Sequence, residues 1–407
     1  MSLGKTFTNP FKPGAGHMPP YLAGRQNETK EFLKLISQTT ILENMVLTGL
    51  RGVGKTVLLD TFKPLVIEKN WLWIGTDLSE SASVNEENIA IRLLTDLSVV
   101  TSNIVIEQEK MSKIGFSNTE EVVVYKLGFH FLSTLYDNTP GLVLDKLKYV
   151  LEFVWSCLRA QNVQGLIFAY DEAQNLSDQA AKEQYPLGIL LDVFQSIQKK
   201  NIPFMLLLTG LPTLFPKLVE SRTFAERMFR VVFLNRLNEK DSRDAILKPV
   251  EDNASPVKFH NDSVNLIVER SGGYPYFIQF VCKEAYDAFL PKLAAGENPS
   301  VPLNEITRKL DTDFFAGRWA RATDRQRELL FVIAQLKNSE EEFSVQDIVE
   351  LSKKTMEKSF SSSHVNQMLS SLGMAGLIYK NRFGKYSFAV PLLGQFILRE
   401  HRDVKSD

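Results

Sequence analysis

A chain of 407 residues exceeds what one ordinary hydrophobic core supports and calls for two or three domains. At 44% hydrophobic and 23% charged residues it has the make-up of a soluble globular protein, which excludes collagen-like, disordered and membrane-embedded classes. A formal net charge of -1 gives the molecule as a whole no pull toward nucleic acid or acidic membranes, so any basic binding surface has to be local.

Residues 1–20 carry Pro10, Pro13, Gly14, Gly16, Pro19 and Pro20, which prevent helix and read as an extended lead-in. From Asn27 the apolar residues at 32, 33, 35 and 36 form a helix stripe. The short apolar run Met45-Val-Leu-Thr ends in glycines, and a second run, Trp71-Leu-Trp-Ile-Gly, follows a helix-length segment from Lys55 to about Lys69. Strand, loop, helix, strand is the elementary piece of a parallel sheet.

The stretch from about 85 to 160 is too long for a simple crossover. It reads as a helical insertion, with helices over Ile89–Val99 and Leu142–Ala160 around a less regular piece near Ser102–Asp137. Three more short apolar runs, starting at Leu166, Phe204 and Phe229, have the character of strands buried on both faces. From about 238 the pattern turns helical, and 318–402 reads as helices followed by a small hairpin. The expected organisation is a core over 21–237, a helical lid over 238–317 and a last domain over 318–407.

No run of 18 apolar residues exists, and the N-terminus lacks a basic-then-apolar signal pattern. Cys157 and Cys282 lie far apart in apolar helical stretches and read as buried thiols of a reducing compartment. A cytoplasmic location with no membrane partner is therefore expected. His17, His130, His260, His364 and His401 show no metal-ligand spacing, so no zinc site is expected.

Gly49-Leu50-Arg51-Gly52-Val53-Gly54-Lys55-Thr56 matches G-x-x-x-x-G-K-[ST] at every fixed position. A polyphosphate has to be met by several backbone N–H groups at once, and Gly49, Gly52 and Gly54 let the loop wrap it. The helix opening at Lys55 and continuing through Thr56 and Val57 aims its N-terminal amides at the anion. Lys55 reaches the β- and γ-phosphates, and the Thr56 hydroxyl ligates Mg²⁺. ATP or ADP with Mg²⁺ is the implied cofactor.

Asp171 and Glu172 follow the apolar run from Leu166 to Ala169. Asp171 fits either a Mg²⁺-holding carboxylate at a strand end or the N-cap of the next helix; the loop motif favours the metal role. Glu172 is the candidate to orient and activate the attacking water. Thr209 ends the next strand and suits contact with the γ-phosphate or the water, and equally suits plain strand duty. Arg227 and Arg230 are candidates for an arginine acting in cis or in a neighbouring subunit, against the commoner fate of surface arginine.

These residues resemble the AAA-type ATPases, in the branch around origin-recognition-like, STAND and archaeal-type ATPases, over about residues 17–400. Tyr21-Leu22-Ala-Gly-Arg25 looks like the upstream box that flanks adenine in that family, Asp171-Glu-Ala-Gln-Asn-Leu like the Walker B strand end, and Leu207-Leu-Thr209-Gly like the sensor 1 strand. Gly272-Gly-Tyr-Pro275 resembles the Gly-x-Pro element of the lid, whose proline lies by the base; as a bare pattern it is also a turn between two helices. No arginine stands where a sensor 2 would be expected.

Residues 318–400 look like the winged-helix domain that follows the lid. Ser361–Leu372 reads as a capped amphipathic helix and Gly376–Phe388 as two strands of a wing. From Ser361 to Asp407 there are six Lys/Arg against three Asp/Glu, which permits phosphate contact by Lys380, Arg382 and Lys385.

The implied fold is an α/β P-loop NTPase with a parallel sheet, helical lid and C-terminal winged helix. The implied function is an ATP-hydrolysing switch whose nucleotide state repositions lid and winged helix, as a monomer with ADP or a nucleotide-dependent oligomer. Two alternatives stand beside it. One is a slowly hydrolysing DNA-binding regulator or loader, similar to the ExeA and TniB kind of ATPase. The other is a nucleotide-gated scaffold that docks a protein partner through the insertion.

Overall fold

The computed structural model describes residues 7–38, 40–114, 117–252, 255–382 and 384–403, with the backbone alone for 107–114, 117–124, 252, 382, 402 and 403. Two compact units are formed: Gln26–Thr48 with Leu58–Phe233, and Met1–Arg25 with Gly49–Val57 and Leu234–Asp407.

The first unit runs α1 (Gln26–Ile36), β1 (Asn44–Thr48), α2 (Lys55–Ile67, of which Leu58 onward belongs here), β2 (Trp71–Asp77), α3 (Glu86–Thr101), β3 (Val105–Ile114), β4 (Ser117–Lys126), α4 (Phe129–Asn138) and α5 (Val143–Arg159). It continues β5 (Gly165–Asp171), α6 (Pro186–Lys199), β6 (Phe204–Gly210), α7 (Leu214–Ser221), α8 (Ala225–Met228) and β7 (Phe229–Phe233). Five strands pair in the order β2-β5-β6-β1-β7, every pairing parallel. All five correspond to the apolar runs read from the sequence.

Every residue of β1, β5 and β6 is buried, which requires helices on both faces of the sheet. One face packs the apolar stripes of α3, α5 and α6 against Phe168, Phe204 and Leu206. The α1–α2 pair closes on itself through the stacked rings of Phe32 and Phe62, 4.1 Å between centroids. Asn44, fully buried at the start of β1, accepts from Leu206 N at 2.7 Å and donates to Met228 O at 3.3 Å, so its amide satisfies backbone groups of β6 and of the end of α8, just before β7.

The segment expected to be a helical insertion over 85–160 is helical at both ends but carries an antiparallel hairpin, β3–β4, paired from Val105↔Lys126 to Ile114↔Ser117. In sequence the apolar residues of β3, at 105, 106, 111 and 114, follow neither helix nor strand period, and those of β4 are bunched at 122–125, which is why the piece read as irregular.

In the second unit residues 7–25 hold no helix or strand. The helices are α9 (Glu239–Asp252), α10 (Asn261–Ser271), α11 (Pro275–Ala294) and α12 (Leu303–Leu310), then a π-helical turn Asp311–Ala316 and α13 (Gly317–Trp319). The chain goes on through α14 (Asp324–Ala334), α15 (Val345–Thr355), α16 (Ser362–Met374), β8 (Ile378–Arg382), β9 (Lys385–Phe388) and α17 (Leu393–Asp403).

Phe11 of the lead-in is 2% exposed and packs edge-on to Tyr286 and tilted to Phe259. Asn9 donates to Lys283 O at 2.9 Å and to Asp287 at 2.8 Å, so the lead-in is docked along α11. Capping boxes start α14 (Thr323 with Gln326) and α15 (Ser344 with Asp347), and Ser361 caps α16. Phe343 and Tyr386 exchange backbone hydrogen bonds at 2.9 and 2.8 Å, adding a one-residue bridge to the β8–β9 hairpin. The thiol of Cys282 is buried; Cys157 is only partly so, contrary to expectation. Among the described residues no helix is long and apolar enough to cross a membrane.

Candidate functional site

Because the sheet is parallel, β1, β5 and β6 all deliver their carboxyl ends to one edge of the first unit. Asp171 is the last residue of β5 and is 3% exposed. Its Oδ1 accepts the Thr209 hydroxyl from β6 and the Glu172 backbone N–H at 2.8 Å. On the other flank Asp171 is the register partner of Asp77, the last residue of β2.

Burial, opposed by Lys63 and reinforced by the charges of Asp171 and Asp77, raises the pKa of Asp60 on α2. Asp60, Asp171 and Asp77 bring carboxylates to this edge, and a hard divalent cation keeps waters and takes one or two protein carboxylates. Among the described residues no three His, Cys, Asp or Glu converge tightly enough to cage an ion unaided.

Glu172 takes a left-handed backbone, φ 50°, which turns its side chain out of the strand line and leaves it exposed. Its carboxylate accepts from the Gln174 side chain. The Thr48 hydroxyl, buried where β1 ends, has no hydrogen-bond partner among the described residues. Arg227, on α8, is exposed and precedes the amino end of β7, whereas Thr48 lies at the carboxyl end of the neighbouring β1. Arg230 is committed elsewhere: it pairs with Glu31 at 2.6 Å and Glu43 at 2.8 Å.

In the second unit the loop Gly49–Gly54 leads into the first residues of α2. Gly52 has φ 80° and Gly54 φ 91°, values that side-chain-bearing residues rarely adopt. Glycine at such turns lets backbone amides come close to an anion, and this loop opens a helix. Lys55 is 8% exposed, and its Nζ donates to Gly49 O at 2.9 Å and Leu50 O at 3.1 Å, folding the ammonium back over the loop. Thr56 and Val57 complete the turn and are half-buried, while Val53 is buried beneath the loop.

Arg25 is buried, and its guanidinium donates to Val53 O at 2.8 Å and Asn235 O at 2.9 Å. The box around Tyr21 and Leu22, both half-buried, therefore ends in an arginine that braces the loop's own backbone. Pro275 occupies the first turn of α11, where its missing N–H costs nothing. The next residue, Tyr276, donates its backbone N–H to Gly52 O at 3.1 Å. Sequence reasoning singled out the Gly-Gly-Tyr-Pro element but missed Tyr276, whose role is played by the main chain.

Arg318, one of the arginines at 318, 321, 325 and 327 that precede the basic stretch in sequence, follows the π-helical turn. It lies 4.4 Å from the Phe314 ring centroid, and burial, followed by the like charges of Arg51 and Arg321, lowers its pKa. Lys380 is exposed and Lys385 half-buried on the β8–β9 hairpin; the side chain of Arg382 lies outside the described residues.

Among solved structures the chain is similar to a Walker-type ATPase of Pyrococcus abyssi, at 16% identity and TM-score 0.57, covering 93% of this chain and 96% of that one. It is also similar to the ORC2 protein of Aeropyrum pernix in ADPNP–ADP complexes, at 13% identity and TM-score 0.52, covering 97% and 98%. The ADP form of that protein gives 13% identity and TM-score 0.53, covering 95% and 97%. The likeness to these archaeal proteins is one of fold. It is an α/β P-loop NTPase fold with a five-stranded parallel sheet. A family model described as a domain of unknown function (DUF8462) matches residues 312–397. No curated protein matches the sequence.

Proposed function

We propose that this chain is a Mg²⁺-dependent ATPase of the AAA/STAND type, in which the bound nucleotide sets the position of lid and winged helix. The observation that carries the reading is the loop from Gly49 to Thr56: left-handed Gly52 and Gly54, with Lys55 folded over the loop at a helix start. The solved neighbour holding ADPNP and ADP supports a nucleotide as occupant.

In this reading the loop amides and Lys55 bind the phosphates, while Tyr21, Leu22, Arg25 and Pro275 frame the base. Thr56 and Asp171 hold the metal, which supplies charge neutralisation on the phosphates. Glu172 takes the proton of the attacking water, and Thr209 keeps Asp171 oriented. Arg227, exposed and unengaged in any ion pair among the described residues, is available to a neighbouring copy.

The direct link between the loop and α11 through Tyr276 supports a nucleotide-sensitive lid. Lys55→Ala should abolish binding of a fluorescent ATP analogue. Glu172→Gln should bind it normally and lose turnover by about 100-fold or more. Wild-type hydrolysis by Glu172→Gln would refute the base assignment.

A second reading, a DNA-binding regulator with slow hydrolysis, is favoured by the basic excess after Ser361 and the hairpin that follows α16. Its test is a salt titration of DNA affinity, in which Lys380→Ala and Lys385→Ala each flatten the slope by about one.

A further inference from the structure

We infer that Gln174 is a positioning residue for hydrolysis, holding the carboxylate of Glu172 in register with the turn that follows β6. The inference rests on Glu172 acting as the base.

Gln174 sits in the single 3₁₀ turn Ala173–Asn175 that follows the end of β5. Its side-chain oxygen accepts the backbone N–H of Leu211 at 3.0 Å, in the turn between β6 and α7. A main-chain N–H bonds only an acceptor, so this contact fixes which end of the amide is oxygen and turns the NH₂ group toward Glu172. That group donates to Glu172 Oε2.

The backbone of the same residue is also pinned, because Lys217 on α7 donates to Gln174 O at 2.6 Å. Lys217 is half-buried, and burial lowers its pKa, as expected of an ammonium committed inward rather than to solvent. Gly210 ends β6 with its Cα turned to the amide, and a Cβ added there would come 2.5 Å from Gln174 Oε1.

Gln174 therefore has a fixed acceptor end, a fixed backbone and one donor aimed at an otherwise exposed carboxylate. An amide donor on Oε2 leaves Oε1 of Glu172 to take a proton from water and removes the rotational freedom of the carboxylate. The same amide ties the base to the β6 end that carries Thr209, so movement of that strand end is transmitted to Glu172.

The test compares wild type, Gln174→Met, Gln174→Glu and Glu172→Gln in steady-state Mg·ATP hydrolysis across pH, with thermal unfolding as the folding control. Gln174→Met keeps the length and loses both hydrogen bonds. We expect kcat to fall about tenfold with KM within about twofold. Gln174→Glu still accepts from Leu211 but sets a like charge beside Glu172, so the acid limb of its pH–rate profile should move to higher pH. A purely structural role would lower the melting temperature of Gln174→Met without the kcat-selective loss.

If Glu172→Gln is inactive while Gln174→Met turns over at the wild-type rate, or Gln174→Glu leaves the acid limb in place, the positioning role is overturned and the base assignment survives. Full activity in Glu172→Gln overturns both. Should Gln174→Met fail to fold, Gln174→Leu, which also lacks both hydrogen bonds, is read by the same kcat and KM comparison.

Discussion

The backbone N–H of Tyr276 donates to the carbonyl oxygen of Gly52 at 3.1 Å, which fastens the tip of a glycine loop to the first turn of α11. The contact is close as well as polar: a Cβ on Gly52 would come 3.0 Å from Cβ of Tyr276. Gly52→Ala should therefore meet both a left-handed backbone, at about 1–2 kcal/mol, and a crowded neighbour. Gly54→Ala meets only the first, since nothing lies within 4 Å of its added Cβ. Chemical denaturation should show Gly52→Ala as the less stable of the two, while equilibrium titration shows both weakened in nucleotide binding. Equal stabilities would mean that the Tyr276 contact does not constrain the loop.

Arg25 serves two carbonyls, Val53 O and Asn235 O, with one guanidinium nitrogen. A lysine is a single point charge on a different reach and does not reproduce that geometry. Arg25→Lys should cost about 1–2 kcal/mol of stability and roughly tenfold in nucleotide affinity. Calorimetry of the free and nucleotide-bound forms checks both. An unchanged affinity would assign Arg25 to folding alone.

Thr209 is fully buried and donates to Asp171 Oδ1. Thr209→Val keeps the shape and removes the donor. Loss of a hydrogen bond to a charged acceptor costs about 1.5–3 kcal/mol, so the melting temperature should drop by about 5 °C. Turnover should fall about tenfold with nucleotide affinity within about twofold. Stopped-flow binding beside steady-state hydrolysis separates the two effects.

Partial burial and the neighbouring Asp171 and Asp77 raise the pKa of Asp60, although its side chain is exposed to solvent on one side. The folded form thus holds its proton to higher pH than the unfolded chain, and stability falls as pH rises through the folded-state pKa. Asp60→Asn lacks this loss. Without nucleotide or divalent ions it should melt about a degree above wild type at pH 7, and the difference should vanish below the usual aspartate pKa. A constant difference across pH would exclude ionisation as its cause.

Much of the sheet was legible in the sequence because parallel strands buried on both faces are continuous apolar runs, as in Met45–Thr48, Leu166–Tyr170 and Phe204–Leu208. The phosphate-type loop was legible because its requirements are fixed by backbone chemistry at set spacing. The hairpin β3–β4 was not, since β3 is polar and aperiodic and the apolar residues of β4 are bunched at 122–125 rather than alternating, so neither strand signals a face. Gln174 escaped notice because its meaning depends on Leu211 and Lys217, residues 37 and 43 positions away that only folding brings near. Arg230 read as free to act because no local pattern shows that Glu31 and Glu43 claim it.

The docking of Phe11 against Phe259 and Tyr286, with Asn9 gripping α11, bears on how the protein is handled. A proline-rich leader of this kind invites trimming before expression. Removing it would uncover a greasy cleft along α11 and turn a monodisperse sample toward clumping, through an exposed apolar patch. Fusion tags on that end belong before residue 7, with enough spacer that the ring of Phe11 still finds its seat.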